Sequence, residues 1–266
     1  MRKIDIKILG MLIVFPLLMI SCKDKAVLDI NEPIVGARVK LYNFGINAPT
    51  VNFYSNDTKI SAVLSATGVE SINGISFGNV YPSIGYALSP EGQRLFQAIT
   101  PSTITTTAPN MTIATVSSQL INDRFYSVFV SGIYNTTDKK ADLFVVEDNY
   151  PEGLDTARTY IRLVNPGSNT STLKAVLTRT TTVTGQPPVV EDFTLASGVP
   201  YRGASPFMAF KPGAYSITVT DEASGKVVTR TATSFLRERV YTLALRGNLV
   251  TTTPAVAPFI DFTTNQ

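Results

Sequence analysis

Short segments of the first half of this chain recur, in the same order, in its second half. Residues 39–43, of sequence Val-Lys-Leu-Tyr-Asn, are matched 122 residues later by residues 161–165, of sequence Ile-Arg-Leu-Val-Asn. Residues 87–90 (Ala-Leu-Ser-Pro) are matched at the same offset by residues 209–212 (Ala-Phe-Lys-Pro). Matches that keep one offset indicate a structural unit that occurs twice, so the chain has to build two equivalent cores.

The later part of each unit repeats as well, with a smaller offset. Residues 123–128 (Asp-Arg-Phe-Tyr-Ser-Val) recur 115 residues later as residues 238–243 (Glu-Arg-Val-Tyr-Thr-Leu). A net deletion of seven residues in the second copy accounts for the change of offset. The same offset of 115 relates two further pairs: Gly132 with Gly247, and residues 144–145 (Phe-Val) with residues 259–260 (Phe-Ile).

Each unit has the size and pattern of a small β-domain. About 115 to 120 residues is the length of an immunoglobulin-like sandwich. Short alternating or apolar runs rich in Val, Thr and Ser lie between turn signals, and no sustained helical period follows residue 35. The sequence therefore predicts an all-β chain with two tandem immunoglobulin-like antiparallel β-sandwich domains, at residues 36–150 and 156–266. A Pro and a Gly near residue 152 mark the boundary.

The first 21 residues have the pattern of a secretory leader. Arg2, Lys3 and Lys7 precede an apolar run at residues 8–20. A helix of this length spans about 20 Å, which is less than the roughly 30 Å hydrocarbon core of a bilayer. Residues 1–21 are therefore predicted to be a cleavable signal peptide and not a membrane span.

The leader ends in a sequence that resembles a lipobox, and Cys22 follows it. Cys22 is the only cysteine in the chain, so it has no disulfide partner within the chain. An ordinary secretory signal with a cysteine near its cleavage site is the alternative. We expect Cys22 to be acylated, and two or three acyl chains anchor a protein stably. Residues 22–35 then form the lipidated cysteine and a tether. The membrane is the expected partner, and the expected location is the outer membrane, on the cell surface or on the periplasmic face.

Three strand motifs of the repeat resemble a known bacterial family. They are an early Arg-aliphatic-x-Leu-x-Asn strand at residues 38–43, a Pro-Gly hairpin at residues 212–217 and a late Tyr-Ser/Thr-aliphatic strand that begins at Tyr126 and Tyr241. In these features the chain resembles the bacterial domain of unknown function 4397, which is common in tandem on lipoproteins of Bacteroidota. The resemblance implies an immunoglobulin-like fold and a cell-envelope location, and it supplies no catalytic residues.

The amino-acid composition excludes the catalytic sites that depend on histidine. The chain contains no His, so a Ser-His-Asp triad, a Cys-His dyad and a His-ligated zinc site are unavailable. Acidic residues stand side by side at residues 147–148, 191–192 and 221–222, but neighbours on a strand point to opposite faces and cannot converge on one substrate. We therefore predict that the protein is not an enzyme and has neither a cofactor nor a metal site.

The charge balance argues against nucleic acid as a partner. The net charge is +3, of which the leader carries +2, so the remainder has no basic field.

A few tyrosines and one threonine are the candidate binding and modification residues. Tyr126 and Tyr241 fit a tyrosine corner better than an aromatic platform. Thr156, within Asp-Thr-Ala, resembles a Bacteroidota O-glycosylation acceptor. The candidates for stacking on a glycan are Tyr81, Tyr86 and Tyr201.

Three classes of function remain, in order of preference. The first is a non-catalytic envelope lipoprotein that presents its tandem sandwiches, in series along an extended arm, as a spacer or a protein-binding module. The second is a glycan-binding accessory lipoprotein of a polysaccharide-uptake system, although the chain has no Trp to stack on sugars. The third is a carboxylate-dependent glycosidase, which would require two convergent buried carboxylates.

Overall fold

The computed structural model describes residues 35–61, 73–167, 169–251 and 253–266, and Cys22 lies outside them. The described residues form strands joined by turns, with one short 3-10 turn at Pro254–Val256. No helix within these ranges is long and apolar enough to cross a bilayer. The prediction of an all-β fold made of β-sandwich domains is confirmed.

The first sandwich contains two sheets. Sheet 1 has the order β4-β1-β8-β9, with β5 also paired to β1, and sheet 2 has the order β3-β2-β6-β7. Their apolar faces enclose a core that includes Leu41, Phe53, Phe96 and Val128. The strands are β1 Ala37–Asn43, β2 Asn52–Ser55, β3 Thr58–Lys59, β4 Asn79–Tyr81, β5 Ala87–Ser89, β6 Gly92–Ile99, β7 Thr112–Leu120, β8 Phe125–Asn135 and β9 Lys140–Glu147.

The second sandwich repeats this plan. Sheet 3 has the order β13-β10-β16-β17, and sheet 4 has the order β12-β11-β14-β15. Leu163, Leu177, Ile217 and Leu243 are among its buried core residues. The strands are β10 Thr159–Val164, β11 Leu173–Thr181, β12 Val189–Val199, β13 Met208–Phe210, β14 Gly213–Asp221, β15 Val227–Phe235, β16 Arg239–Arg246 and β17 Phe259–Thr264.

The register of the central strands shows that the two sandwiches are equivalent. Val39 on β1 pairs with Tyr126 on β8, and the repeat-related Ile161 on β10 pairs with Tyr241 on β16. Both of these pairings are parallel, whereas the sequence pattern predicts antiparallel sheets throughout. Each parallel pair is possible because its two strands are separated in the chain by a whole second sheet, which provides the long connection that parallel strands need.

The hydrogen-bond registers show that β5 and β13, which pair with the first strand of their repeats, are related by a different offset from the one that the sequence match gave. Val39 pairs with Ala87, whereas Ile161 pairs with Met208. The structural offset of β5 and β13 is therefore 121 and not 122. The sequence match made Ala209 the equivalent of Ala87, whereas the structure makes Met208 its equivalent, so the match was wrong by one residue.

The last strand of each repeat is shifted by two residues relative to the sequence match. Val128 pairs with Val145, and the equivalent Leu243 pairs with Phe262. The structural offset of β9 and β17 is therefore 117 and not 115. A shift of two residues keeps the same strand face toward the core, so the apolar pattern by itself did not distinguish the two alignments.

Two tyrosines at equivalent positions of the repeat, Tyr126 and Tyr241, are buried and accept hydrogen bonds from the backbone. The Tyr126 hydroxyl accepts a hydrogen bond from the Ile121 amide at 3.1 Å, and the Tyr241 hydroxyl accepts one from the Leu236 amide at 3.2 Å. In both cases the donor lies five residues upstream. These contacts have the form of a tyrosine corner, as the sequence pattern favoured.

The outward faces of sheets 1 and 3 pack against each other. Strands β1 and β8 are buried on both faces, because the outward-facing Tyr42 and Phe129 form one apolar cluster with Val164 and Ala244 of sheet 3. The sandwiches therefore lie face to face, and the expectation of an extended arm with the domains in series is wrong. The outward residues of β1 alternate with core residues and include Lys40, a pattern that in isolation looks like a solvated strand face.

Candidate functional site

The interface between the sandwiches has an aromatic half and a small-residue half. In sheet 1, Tyr42 stacks on Phe129 with ring centroids 4.1 Å apart, and Phe129 stacks on Phe144 at 5.0 Å. Val164 and Ala244 of sheet 3 pack against this stack. All five side chains are buried. Complete burial of one large apolar side chain contributes about 1.5 to 3 kcal/mol, so this cluster is a major part of the interface energy.

A buried ion pair crosses the interface. The Arg162 guanidinium lies 2.5 Å from Asp148 Oδ1, and the two side chains are 2% and 0% exposed. Arg162 also donates to the Thr242 hydroxyl at 3.0 Å and to the Ser127 hydroxyl at 3.1 Å, and it lies 4.6 Å from the centre of the Phe207 ring. Burial alone would lower the pKa of Arg162, but Asp148 raises that pKa above its ordinary value. The guanidinium therefore stays charged inside the protein.

A second buried cation, Lys40, lies in the same interface. Its ammonium donates to the Gly85 carbonyl and to the Thr264 carbonyl, each at 2.9 Å, and lies 5.6 Å from the centre of the Tyr86 ring. Gly85 belongs to the first sandwich and Thr264 to the second. Burial lowers the pKa of Lys40 to about 8, and the attraction of Asp148 opposes that shift only in part.

A polar network surrounds Asp148. Its Oδ2 accepts hydrogen bonds from the Tyr86 hydroxyl at 2.7 Å and from the Ser127 hydroxyl at 2.9 Å. The Asn265 amide donates to the Tyr86 hydroxyl at 2.7 Å, and the Tyr150 hydroxyl contacts that of Tyr86. Burial, followed by Asp148, raises the pKa of Tyr86, so this phenol remains a neutral donor. Asn265 Oδ1 is buried without a hydrogen-bond partner, and the remaining bonds of the network link the two sheets across the interface.

A cleft of about 480 Å³ opens beside the ion pair. Arg202 lies at the cleft and pairs with Asp142 of the first sandwich at 2.6 Å, with both side chains more than 40% exposed. The cleft is lined by polar and apolar groups of both sandwiches, including Glu147, Asn149, Arg162, Arg202, Ser205 and Phe207.

The structure places the three candidate stacking tyrosines in different surroundings. Tyr81 lies on β4 and packs against the core of the first sandwich. Tyr86 belongs to the network around Asp148. The Tyr201 hydroxyl donates to Asp142 Oδ2 at 2.6 Å, so it joins a loop of the second sandwich to the first. Thr156 is exposed in the turn that connects the sandwiches.

The acidic pairs separate as strand geometry requires. Asp148 faces the interface, whereas its neighbour Glu147 pairs with Arg124 at 3.2 Å. Asp221 accepts hydrogen bonds from the amide and hydroxyl of Ser171 and from those of Ser224. Although burial opposes it, these bonds lower the pKa of Asp221 to about 2. Within the described ranges, no group of three Asp, Glu, His or Cys side chains is arranged to hold a metal ion.

Sequence reasoning did not identify Lys40, Asp148 and Arg162 as interface residues. One signal was present: β8, of sequence FYSVFVSGIYN, has apolar residues on both of its faces. A strand of that kind is typical of a sheet covered on both sides.

Comparisons with known proteins were made with family models, curated proteins and solved structures. No protein-family model and no curated protein matches it, so the resemblance to domain 4397 receives no support from them. Among solved structures the chain is similar to a putative cell adhesion protein from Bacteroides ovatus ATCC 8483. The identity is 11%, the match covers 87% of this chain and 98% of that chain, and the TM-score is 0.23. The class of protein is defined by two β-sandwiches packed face to face.

Proposed function

We propose that this chain is a non-catalytic cell-envelope lipoprotein whose two sandwiches, at residues 36–150 and 156–266, form one rigid module for binding a protein partner. Attachment through acyl chains on Cys22 would hold the module at the outer membrane. The observation that supports the proposal best is the buried interface with the Arg162–Asp148 pair, because it joins the two domains into a single body.

Rigidity follows from what separation of the sheets would expose. The aromatic stack of the first sandwich and the small residues of the second would both enter water, at about 1.5 to 3 kcal/mol for each large side chain. The apolar cluster between the two sheets supplies the kind of hydrophobic contact that restrains the relative motion of two domains. A rigid module presents the loops and outer sheets in a constant orientation, which lowers the entropic cost of binding a partner.

The positions of the carboxylates support a binding role over a catalytic one. Asp148 and Asp221 are the buried carboxylates among the described residues, and each one is engaged by hydrogen bonds that stabilise the fold. A glycosidase needs two carboxyl groups on opposite sides of one substrate-sized gap. Asp148 instead serves the interface, while Asp221 closes a turn of the second sandwich.

Anchoring is tested by acylation and by cell fractionation. The full chain and its Cys22→Ser variant would be produced in a bacterium that processes lipoproteins, with radiolabelled palmitate in the medium. We expect label and membrane association for the wild type, and neither for the variant. Equal labelling of both proteins would overturn the anchor, and so would an unlabelled wild type.

Rigidity is tested by small-angle scattering of residues 23–266. The wild-type curve should match one compact arrangement of the sandwiches at every salt concentration from low ionic strength to 1 M. Asp148→Ala should broaden the distribution of interdomain distances, and the exposed-site control Asp192→Ala should leave it unchanged. A wild-type curve that requires many interdomain orientations would exclude a rigid module.

A further inference from the structure

The interface between the sandwiches has approximate two-fold symmetry. Lys40 and Arg162 occupy equivalent positions, because they pair with equivalent residues of β8 and β16. Each cation reaches across to the last strand of the other sandwich: Lys40 donates to the Thr264 carbonyl at 2.9 Å, and Arg162 donates to the Glu147 carbonyl at 3.5 Å. Glu147 and Thr264 are themselves equivalent, since they pair with Tyr126 and Tyr241 respectively.

The rings beneath the two cations obey the same symmetry. Tyr86 comes directly before Ala87, which pairs with Val39, and Phe207 comes directly before Met208, which pairs with the equivalent Ile161. Tyr86 and Phe207 are therefore equivalent. Lys40 lies 5.6 Å from the centre of the Tyr86 ring, and Arg162 lies 4.6 Å from that of Phe207. The two sandwiches thus use the same patch to contact each other, which is the arrangement of a symmetric dimer interface.

Side-chain size departs from this symmetry in one direction. At the equivalent positions Tyr42 and Val164, the first sandwich has the larger residue, and at Phe129 and Ala244 it again has the larger one. All four belong to one buried cluster. The first face therefore projects where the second is recessed.

Charge departs from the symmetry as well. Asp148 and Asn265 are equivalent, because each follows the residue that pairs with the tyrosine of its own repeat. Their side chains meet, with Asn265 Nδ2 3.4 Å from Asp148 Oδ2. Of this equivalent pair, Asp148 alone carries a carboxylate, and Arg162 is bound to it.

We propose that these differences make the interface a selective recognition surface: the first face binds a second face and rejects a copy of itself. Two first faces would bring Tyr42 and Phe129 against their own copies, and two Asp148 carboxylates would meet where Asp148 now meets an amide. Two second faces would leave gaps between small residues, and each buried Arg162 would lack a carboxylate. The partner of the first face is therefore the second sandwich of the same chain.

Cleavage of the connecting turn tests the proposal in the folded protein. A protease site placed between Glu152 and Gly153, which are both exposed, would allow the intact chain to be cut after folding. Unlabelled and ¹⁵N-labelled cut proteins would be mixed, and low urea below the unfolding midpoint would accelerate exchange of halves. Native mass spectrometry then identifies each pair by its mass.

We expect each complex to contain one first half and one second half, with labels mixed between them. Pairs of identical halves should be at least 100-fold less abundant than mixed pairs. A statistical distribution of identical and mixed pairs would overturn the proposal. Halves that separate after cutting and do not pair would overturn it equally, because the faces would then lack affinity of their own.

Variants identify which residues carry the selectivity. In a pair of two second halves, each Arg162 would be buried without a carboxylate. Arg162→Met removes that uncompensated charge, so it should raise the share of such pairs at least tenfold. Asp192→Asn changes an exposed carboxylate that accepts a hydrogen bond from Thr178 in sheet 4, and it should leave the distribution unchanged. Thermal melting of the uncut variants shows whether each one is folded. An unchanged distribution in a folded Arg162→Met protein would show that this cation carries no selectivity and would overturn that part of the proposal.

Discussion

Removal of the Asp148 carboxylate should destabilise this protein more than any exposed charge change. In Asp148→Ala, Arg162 keeps its charge but loses the carboxylate that lies 2.5 Å from it. Tyr86 and Ser127 lose their shared acceptor as well. Arg162 is 2% exposed, so water cannot replace these contacts without opening the interface.

The magnitude follows from the burial of the pair. Breaking a buried ion pair by removing one partner costs about 3 to 5 kcal/mol, because the remaining charge is left uncompensated. A whole domain is stable by only about 5 to 15 kcal/mol. For a protein of this size a loss of 1 kcal/mol lowers Tm by about 2 to 4 °C, so we expect a decrease of roughly 6 to 20 °C.

The assay is urea unfolding and thermal melting of residues 23–266, followed by circular dichroism. Asp142→Ala is the matched control, because it breaks the Arg202–Asp142 pair at 2.6 Å, in which both partners are more than 40% exposed. That change also removes the acceptor of the Tyr201 hydroxyl, and it should cost about 1 to 2 kcal/mol, which is less than the loss in Asp148→Ala. The double variant Asp148→Leu with Arg162→Met removes both charges and should recover most of the loss.

Two results would refute this reasoning. If Asp148→Ala cost no more than Asp142→Ala, the pair would not be buried in solution and the sandwiches would not be packed face to face. If the double variant were as unstable as the single variant, the loss would come from packing or from the hydrogen bonds of Tyr86 and Ser127, and not from an uncompensated charge.

Three further predictions concern pH, modification and activity. The pKa of Lys40 is about 8 in the folded protein, below its ordinary value of 10.5, so the unfolded chain binds more protons than the folded one. The free energy of unfolding should therefore rise by about 1 to 3 kcal/mol between pH 8 and pH 10. A flat pH profile in urea unfolding, or the same rise in Lys40→Met, would contradict this prediction. Thr156 should carry an O-glycan in its native host, so Thr156→Ala should lose that mass in peptide mass spectrometry, and an unmodified wild-type peptide would refute the assignment. Purified residues 23–266 should show only background turnover of glycoside, ester and peptide substrates, and activity abolished by Glu191→Gln or Asp221→Asn would reveal an enzyme.

Local features of the sequence were sufficient for the fold class and for several structural residues. Strand alternation and turn residues indicated β-sandwiches because they depend on neighbours within a few positions. The tyrosine corners at Tyr126 and Tyr241 were also visible, since each hydroxyl binds an amide only five residues away. The exact strand registers were not, because a shift of two residues preserves the apolar pattern of a strand.

Only the tertiary structure decided how the two sandwiches contact each other. Lys40 and Arg162 occupy outward strand positions, where a basic residue ordinarily indicates solvent. Each is buried in part by the other repeat, which supplies Thr264 to Lys40 and Asp148 to Arg162. Asp148, Arg162 and Asn265 are brought together by the packing of two sheets, and no spacing along the chain predicts that contact. Sequence periodicity reports which side of a strand is apolar, but the partner of the second side is determined by shape and charge across the whole fold.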